Sequence, residues 1–314
     1  GGLKGMEISK VLWTGIKFDC VFCFSDPRTD PWPLVHSPLP VTLLFAFYLL
    51  VVALGPFYMR NQKPLKLRGL LVAYNLSMMM LSSYMFYEVR RQDCSLLDKN
   101  LGTMARVCWW FFFSKVIELL DTVFIILRKK QEQVTFLHVY HHGTMLFNWW
   151  SGVKYVPGGQ AFFIGMLNSF VHIFMYGYYA LASLGPQMHC YLWWKRYLTI
   201  MQLCQFVAIA VHSSYNLFTE CPFPDGFNIA VFLYILSLIA LFLHYYYWTY
   251  TRGKKKKEVF MHEDYLVLLA IDAIFLVRKN KLRLSIDNFF LPFVITIIIS
   301  NFCLLSKMKS FPPP

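Results

Sequence analysis

Apolar stretches recur along this chain at lengths set by a bilayer. Seven of them, at residues 40–59, 69–88, 107–127, 137–156, 160–184, 197–218 and 228–250, each approach the roughly 20 residues a helix needs to cross hydrocarbon. Short polar segments separate them. The pattern predicts an all-α polytopic membrane protein with seven transmembrane helices. Several spans carry polar side chains, which points to a bundle with a polar interior rather than rods facing lipid on every side. Beyond the seventh span, residues 265–277 are too short to cross and are interrupted by Asp272, whereas 286–305 are long enough for an eighth membrane helix. No internal repeat and no soluble domain is evident.

Composition agrees. The chain has 314 residues, 57% hydrophobic and 18% aromatic but only 15% charged, and its mean hydropathy is +0.45, too apolar for a soluble domain of this length. The net charge of +13 does not imply nucleic acid, because the basic residues sit mostly in short loops, where topology accounts for them. Arg60, Lys63, Lys66 and Arg68 follow the first span, Arg128 to Lys130 the third, Lys195 and Arg196 precede the sixth, and Arg252 with Lys254 to Lys257 follows the seventh. The loop after the second span, with Arg90, Arg91, Lys99 and Arg106, is the exception. On balance the N-terminus lies outside the cytosol and residues 254–257 inside it, which puts the start of the fourth span on the cytosolic side. Trp149, Trp150, Trp193, Trp194 and the run Tyr245 to Tyr247 suit interfacial belts. Residues 1–24 lack the compact apolar core and cleavage site of a secretory signal peptide. A lone Cys20/Cys23 pair does not make a zinc site, and Cys108, Cys204 and Cys303 read as buried free thiols.

Candidate chemistry concentrates at the start of the fourth span, where His138, His141 and His142 fall at i, i+3 and i+4 on one helical face. Ionisable groups in a membrane are functional candidates by default. The third span places Lys115, Glu118, Asp121 and Thr122 on one face; an internal Lys115–Glu118 ion pair would account for two of them and leave Asp121 unexplained. Asn168 and His172 stand at i, i+4 in the fifth span, followed by Met175, Tyr176, Tyr178 and Tyr179, and the sixth carries Thr199, Gln202, Gln205 and His212. Two chemistries suit this set. Imidazoles at that spacing can ligate iron or zinc, as in membrane di-iron desaturases and hydroxylases. Those enzymes need several histidine boxes, however, and His36, His172, His189, His212, His244 and His262 are isolated. Alternatively, a neutral buried imidazole can attack a thioester, with a second imidazole as acid or base and amides as oxyanion donors. A receptor or transporter is the non-enzymatic alternative, although a transport site would lie nearer the midplane beside broken helices.

Four blocks in order carry a resemblance. Lys115-Val-Ile-Glu118-Leu-Leu-Asp121-Thr122, then Gln133-Val-Thr-Phe136-Leu137-His138-Val-Tyr140-His141-His142, then Asn168-Ser-Phe-Val-His172-Ile-Phe-Met175-Tyr176, then Thr199-Ile-Met-Gln202-Leu-Cys-Gln205-Phe206 resemble the signature of the very-long-chain fatty acid elongases (the ELO family). Tyr140 and the stretch 143–150 are most similar to the vertebrate type-four-like, polyunsaturated-chain branch. The resemblance implies an endoplasmic reticulum protein with seven helices, six of them forming an inverted barrel around a substrate tunnel. It implies a 3-oxoacyl-CoA synthase joining a long acyl-CoA to malonyl-CoA, with neither metal nor bound cofactor. His141 would take the acyl group, His172 would be its partner across the tunnel, and His138 and His142 would support them. Lys115, Glu118, Asp121, Gln133, Asn168, Tyr176, Gln202 and Gln205 would complete the polar site. Lys129, Lys130, Lys195 and Arg196 would hold CoA phosphates at the cytosolic mouth. Implied partners are the 3-ketoacyl-CoA reductase, the 3-hydroxyacyl-CoA dehydratase and the enoyl-CoA reductase of the same membrane, with room for homo- or hetero-oligomers with other elongases. Cys94 and Cys221 both fall on the luminal side, where a disulfide between them can form. On this reading residues 1–25 are an atypical N-terminal segment and 26–252 the seven-helix elongase domain. Residues 253–257 are then a basic cytosolic segment, and 258–314 an atypical extension in place of the short lysine-rich tail usual in the family. The loop at 89–102 is shorter than in relatives.

Overall fold

In the computed structural model of the chain, the described residues are 26, 28–93, 101–157, 161–218 and 225–251. Cys94, Cys221, residues 254–257 and the extension with its proposed eighth helix lie outside them. Among the described residues the fold is helical, with no strand and seven α-helices of twenty residues or more. These are α1 (Pro38–Met59), α2 (Arg68–Asp93), α3 (Leu101–Leu127), α4 (Phe136–Tyr155), α5 (Ala161–Ser183), α6 (Lys195–Phe218) and α7 (Asp225–Tyr246). Short 3₁₀ turns at Gln131–Gln133 and Pro186–Tyr191 bridge α3 to α4 and α5 to α6, and a π turn, Tyr247–Thr251, finishes α7.

Five helices, α1, α2, α5, α6 and α7, are long and apolar enough to cross a membrane. The other two, α3 and α4, carry Lys115, Glu118, Asp121 and the histidine box, and pack beside the five. The chain is therefore a multi-pass membrane protein, with Lys115 and Glu118 buried inside the bundle. The side chains of α1 sort accordingly. Val41, Phe45, Tyr48 and Val52 are buried, while Leu39, Leu43, Phe47, Leu50, Leu54 and Phe57 form an exposed stripe. In a bilayer such a stripe faces acyl chains and carries no penalty.

Packing runs from α2 to α3, α3 to α4, α4 to α7, α7 to α6, α6 to α5, and α5 back to α2, the α2–α5 contact being the most extensive. Helix α1 lies outside this circuit, against α3 and α4. Close approach depends on small residues, as expected where helices associate by packing rather than by expulsion of water. A methyl group on Gly165 would stand 2.8 Å from the Phe111 ring, and one on Gly143 2.7 Å from Phe45. One apolar cluster joins α1 to α4 through Phe45, Tyr48, Phe111, Phe112, Leu146 and Trp149. A second joins α4, α6 and α7 through Tyr140, Phe206, Ile209, Ile235 and Leu238.

Two expectations need correction. Trp149 and Trp150 are not belt residues but are buried, at 6% and 5% exposure. Trp149 stacks on Phe111 with centroids 4.8 Å apart, and the Trp150 indole donates to the Leu34 carbonyl at 3.2 Å. Trp149 packs on α3 and Trp150 on the segment before α1, so their amphipathic rings serve packing instead of the interface. Trp193, at 73% exposure, fits the belt. Cys204 is exposed rather than buried, because it lies on the outward face of α6 with Val207 and Val211; Cys108 is buried as expected.

Candidate active site

Helix α4 begins at a local capping signal. The Thr135 hydroxyl accepts from the backbone N–H of His138 at 3.2 Å, satisfying one of the first-turn donors of the helix. That cap places the histidine box in the first two turns, close to the end of the bundle where α3 finishes and α6 starts. The shared face predicted for the box then divides. His138 and His142 pair, with ring centroids 4.4 Å apart. His138 Nε2 stands 2.8 Å from Thr122 Oγ1 of α3, which lies 3.2 Å from Tyr48 Oη of α1. His141 turns toward α7, its Nδ1 3.5 Å from Tyr234 Oη.

A second group binds α3 to α5. Lys115 Nζ donates to Glu118 Oε1 at 2.8 Å and to Asn168 Oδ1 at 2.9 Å. Because its oxygen is occupied, Asn168 presents its amide nitrogen to His172 Nε2 at 3.2 Å. The ring proton of His172 is thereby left on Nδ1, which faces Glu118 Oε1 at 3.4 Å. Lys115, Glu118, Asn168 and His172 are all buried. The ion pair is thus present, as one reading of the sequence required, and it is also the mount of His172. Asp121, which that ion pair left unexplained, accepts from Tyr176 Oη of α5 at 3.1 Å. The two groups come from different helices, His141 from α4 and His172 from α5.

The remaining candidates distribute unevenly. Gln205 is buried on α6, whereas Gln202 donates to the soft acceptor Met175 Sδ at 3.7 Å. Gln133 is exposed in the turn before α4, away from the cluster in its contacts. Lys129 is half-buried and donates to the Arg60 carbonyl at 3.0 Å, while Lys130 is exposed. Lys195 and Arg196 are exposed at the start of α6, and the Arg196 guanidinium donates to Tyr246 Oη at 2.7 Å. Among the described residues, no three His, Cys, Asp or Glu side chains are grouped so that they could hold a metal ion.

Sequence reasoning missed Tyr48, Thr144 and Tyr234. Each reads as an ordinary hydroxyl within an apolar span, and its partner lies many residues away. Tyr140 was noticed only as a branch marker. Its hydroxyl meets Ser237 Oγ at 2.9 Å and so helps close α4 onto α7.

This arrangement carries the four motif blocks, and the sequence model of the GNS1/SUR4 family matches residues 33–258, which contain all of them. The chain belongs to the GNS1/SUR4 (ELO) family. Very long chain fatty acid elongase 4 of Macaca mulatta is 46% identical over 245 residues, covering 74% of this chain and 78% of that protein. The Homo sapiens elongase 4 is 45% identical over the same length and shares. Very long chain fatty acid elongase 2 of Mus musculus is 44% identical over 252 residues, 77% of this chain and 86% of that one. The likeness to the type-four branch read from the motifs therefore extends through the ELO region.

Proposed function

We propose that this chain is the condensing enzyme of very-long-chain fatty acid elongation, a 3-oxoacyl-CoA synthase of the endoplasmic reticulum membrane. The observation that carries the reading is the mounting of His172 of α5 between Asn168 and Glu118, and of His141 of α4 against Tyr234. Two imidazoles from different helices, one steered by Tyr234 and the other by an amide and a carboxylate, suit thioester chemistry.

The first half-reaction is acyl transfer. His141 Nε2 attacks the acyl-CoA carbonyl, the C–N bond forms and the C–S bond breaks. The imidazole proton leaves with the CoA sulfur; His172 carries it only by giving up the Asn168 contact at Nε2, its Nδ1 being already protonated towards Glu118. In the second half, malonyl-CoA loses carbon dioxide and its enolate carbon attacks the acyl-imidazole carbonyl. A C–C bond forms, the C–N bond breaks, and a proton returns to the His141 ring. The products are 3-ketoacyl-CoA, carbon dioxide and CoA. The Asn168 amide supplies a hydrogen-bond donor beside the site where enolate charge develops. His138 and His142 hold the box in place through Thr122 and through each other. No metal or bound cofactor takes part.

The closed order of contacts from α2 through α7 supports an inverted barrel of six helices around an acyl tunnel, with α1 as a seventh, peripheral span. Exposed Lys130, Lys195 and Arg196 at the mouth, with Lys129 beside them, fit the CoA phosphates. The type-four likeness, together with Tyr140 in the box, favours long polyunsaturated chains. The 3-ketoacyl product then needs the separate reductases and dehydratase as partners. The test is malonyl incorporation into a panel of acyl-CoA substrates by microsomes carrying the chain. Loss of product in His141→Ala is expected, and full turnover by that variant would overturn the assignment.

A further inference from the structure

Beside the apolar cluster that joins α4 to α7 stand four hydroxyls, those of Tyr140, Thr144, Tyr234 and Ser237, and two of them lead to His141. Tyr234 Oη lies 3.5 Å from His141 Nδ1 and 3.0 Å from Thr144 Oγ1. Thr144 Oγ1 in turn lies 2.6 Å from the carbonyl oxygen of Tyr140, one helical turn back. Thr144 is buried, and the chain Tyr140 carbonyl, Thr144, Tyr234, His141 runs from backbone to reactive ring. Ser237, one turn along α7, donates to the Tyr234 carbonyl at 2.6 Å and meets Tyr140 Oη, which fixes the Tyr234 backbone against α4.

Proton counting along this chain gives two states. Thr144 has one hydroxyl proton and three neighbouring acceptors, the Tyr140 carbonyl at 2.6 Å, Tyr234 Oη at 3.0 Å and, longest, the His141 carbonyl at 3.3 Å. A carbonyl can only accept, so when Thr144 donates to Tyr140, its oxygen is free to accept from Tyr234. Tyr234 then accepts from His141, and the His141 proton is held on Nδ1 with the Nε2 lone pair exposed. When Thr144 donates to Tyr234 instead, Tyr234 donates to a bare Nδ1. Passing from the first state to the second removes the Nδ1 proton, which goes to the departing CoA thiolate, and rotates two hydroxyls; no proton is handed along the chain.

We propose that Tyr234, backed by Thr144, is a positioning residue for the reaction at His141 that follows both forms of the ring. In the resting enzyme it accepts the Nδ1 proton and keeps Nε2 nucleophilic. After acylation Nδ1 carries no proton, and Tyr234 donates to it. That hydrogen bond draws electron density from the acyl-imidazole and makes the ring a better leaving group when the enolate attacks. The 3.5 Å spacing suits a bond that tightens once substrate is bound. The inference rests on the acyl-histidine reading of the preceding subsection.

The experiment uses the full chain in microsomes and compares Tyr234→Phe, Thr144→Val, Thr144→Ser and the double variant Tyr234→Phe/Thr144→Val, with His141→Ala alongside. Tyr234→Phe lowers kcat by about tenfold to a hundredfold, the range for one lost hydrogen bond to a reacting group. The KM for acyl-CoA stays within about twofold, because binding of the chain is untouched. Thr144→Val falls in the same direction, Thr144→Ser restores most of that loss, and the double variant is no slower than Tyr234→Phe, since both act through one chain. Should Tyr234→Phe accumulate poorly, the Thr144 pair reads the same chain. A kcat in Tyr234→Phe within about twofold of the parent overturns the inference, as does equal loss in Thr144→Val and Thr144→Ser. His141→Ala separates the two levels. If it is inactive while Tyr234→Phe is unimpaired, only the inference fails; if it retains turnover, the acyl-histidine reading fails first.

Discussion

Replacing Lys115 with methionine removes one partner of a buried ion pair and leaves the other in place. The Lys115 side chain is 2% exposed and that of Glu118 3%, so no water is at hand to solvate the remaining carboxylate. Methionine keeps the volume, which confines the effect to charge and hydrogen bonding. Glu118 would lose the 2.8 Å bond from Lys115, and Asn168 the 2.9 Å bond at its oxygen. Stranding one member of such a pair costs about 3–5 kcal/mol, whereas replacing both members with apolar residues of similar size is often close to neutral. For a chain of 314 residues that corresponds to a melting temperature lower by about 5–8 °C. The assay is thermal unfolding of detergent-solubilised protein, followed as loss of the monodisperse species, for Lys115→Met, Glu118→Leu and the double variant. The double variant is expected to recover most of the stability lost in Lys115→Met, yet to stay inactive because His172 has lost Glu118. A coupling between the two positions below about 0.5 kcal/mol would refute the reasoning.

Gly165→Ala drives a methyl group to within 2.8 Å of the Phe111 ring, which is itself stacked on Trp149 and cannot retreat, so a loss of about 1–3 kcal/mol is expected in the same unfolding assay. Gly152→Ala meets nothing within 4 Å and should be neutral or gain about 0.5–1 kcal/mol; comparable loss in both glycine variants would contradict the packing described. Lys154 is buried, ion-paired with Asp30 and donating to the His36 carbonyl, but Asp30 is 37% exposed and stays solvated, so Lys154→Ala should lower stability by about 1–3 kcal/mol. Removing Arg28, which pairs with Asp26 at the exposed surface, should change stability by less than about 1 kcal/mol. Lys195→Ala should raise the KM for acyl-CoA several-fold and flatten its dependence on salt, with kcat unchanged; an unaltered salt response would remove Lys195 from the phosphate site.

Much of the architecture was legible in the sequence because a bilayer imposes long apolar runs. The run at 40–59 became Pro38–Met59, and that at 137–156 became Phe136–Tyr155, started by the Thr135 cap. Boundaries drifted where polar residues extend a helix: α2 continues to Asp93 through Arg90 and Arg91, and α3 begins at Leu101, ahead of Arg106. Within the site, residues at helical spacing were found, since Lys115 with Glu118 and Asn168 with His172 each sit one turn apart. Pairings between helices were not. Tyr176 reaches Asp121 across 55 positions and Tyr234 reaches His141 across 93, and no local pattern reports such distances. The tryptophans misled for a related reason. Indole rings suit a membrane interface and a packed interior alike, and only the neighbours of α4 decide between them.

The central claim is that His141 carries the acyl chain between two half-reactions. The most direct measurement is intact-protein and peptide mass spectrometry of the purified chain incubated with a long acyl-CoA in the absence of malonyl-CoA. The account predicts release of CoA and an acyl adduct on the peptide bearing His141, discharged when malonyl-CoA is added and absent from His141→Ala. An adduct on another residue, or steady condensation with no acyl-enzyme at any time, would contradict it.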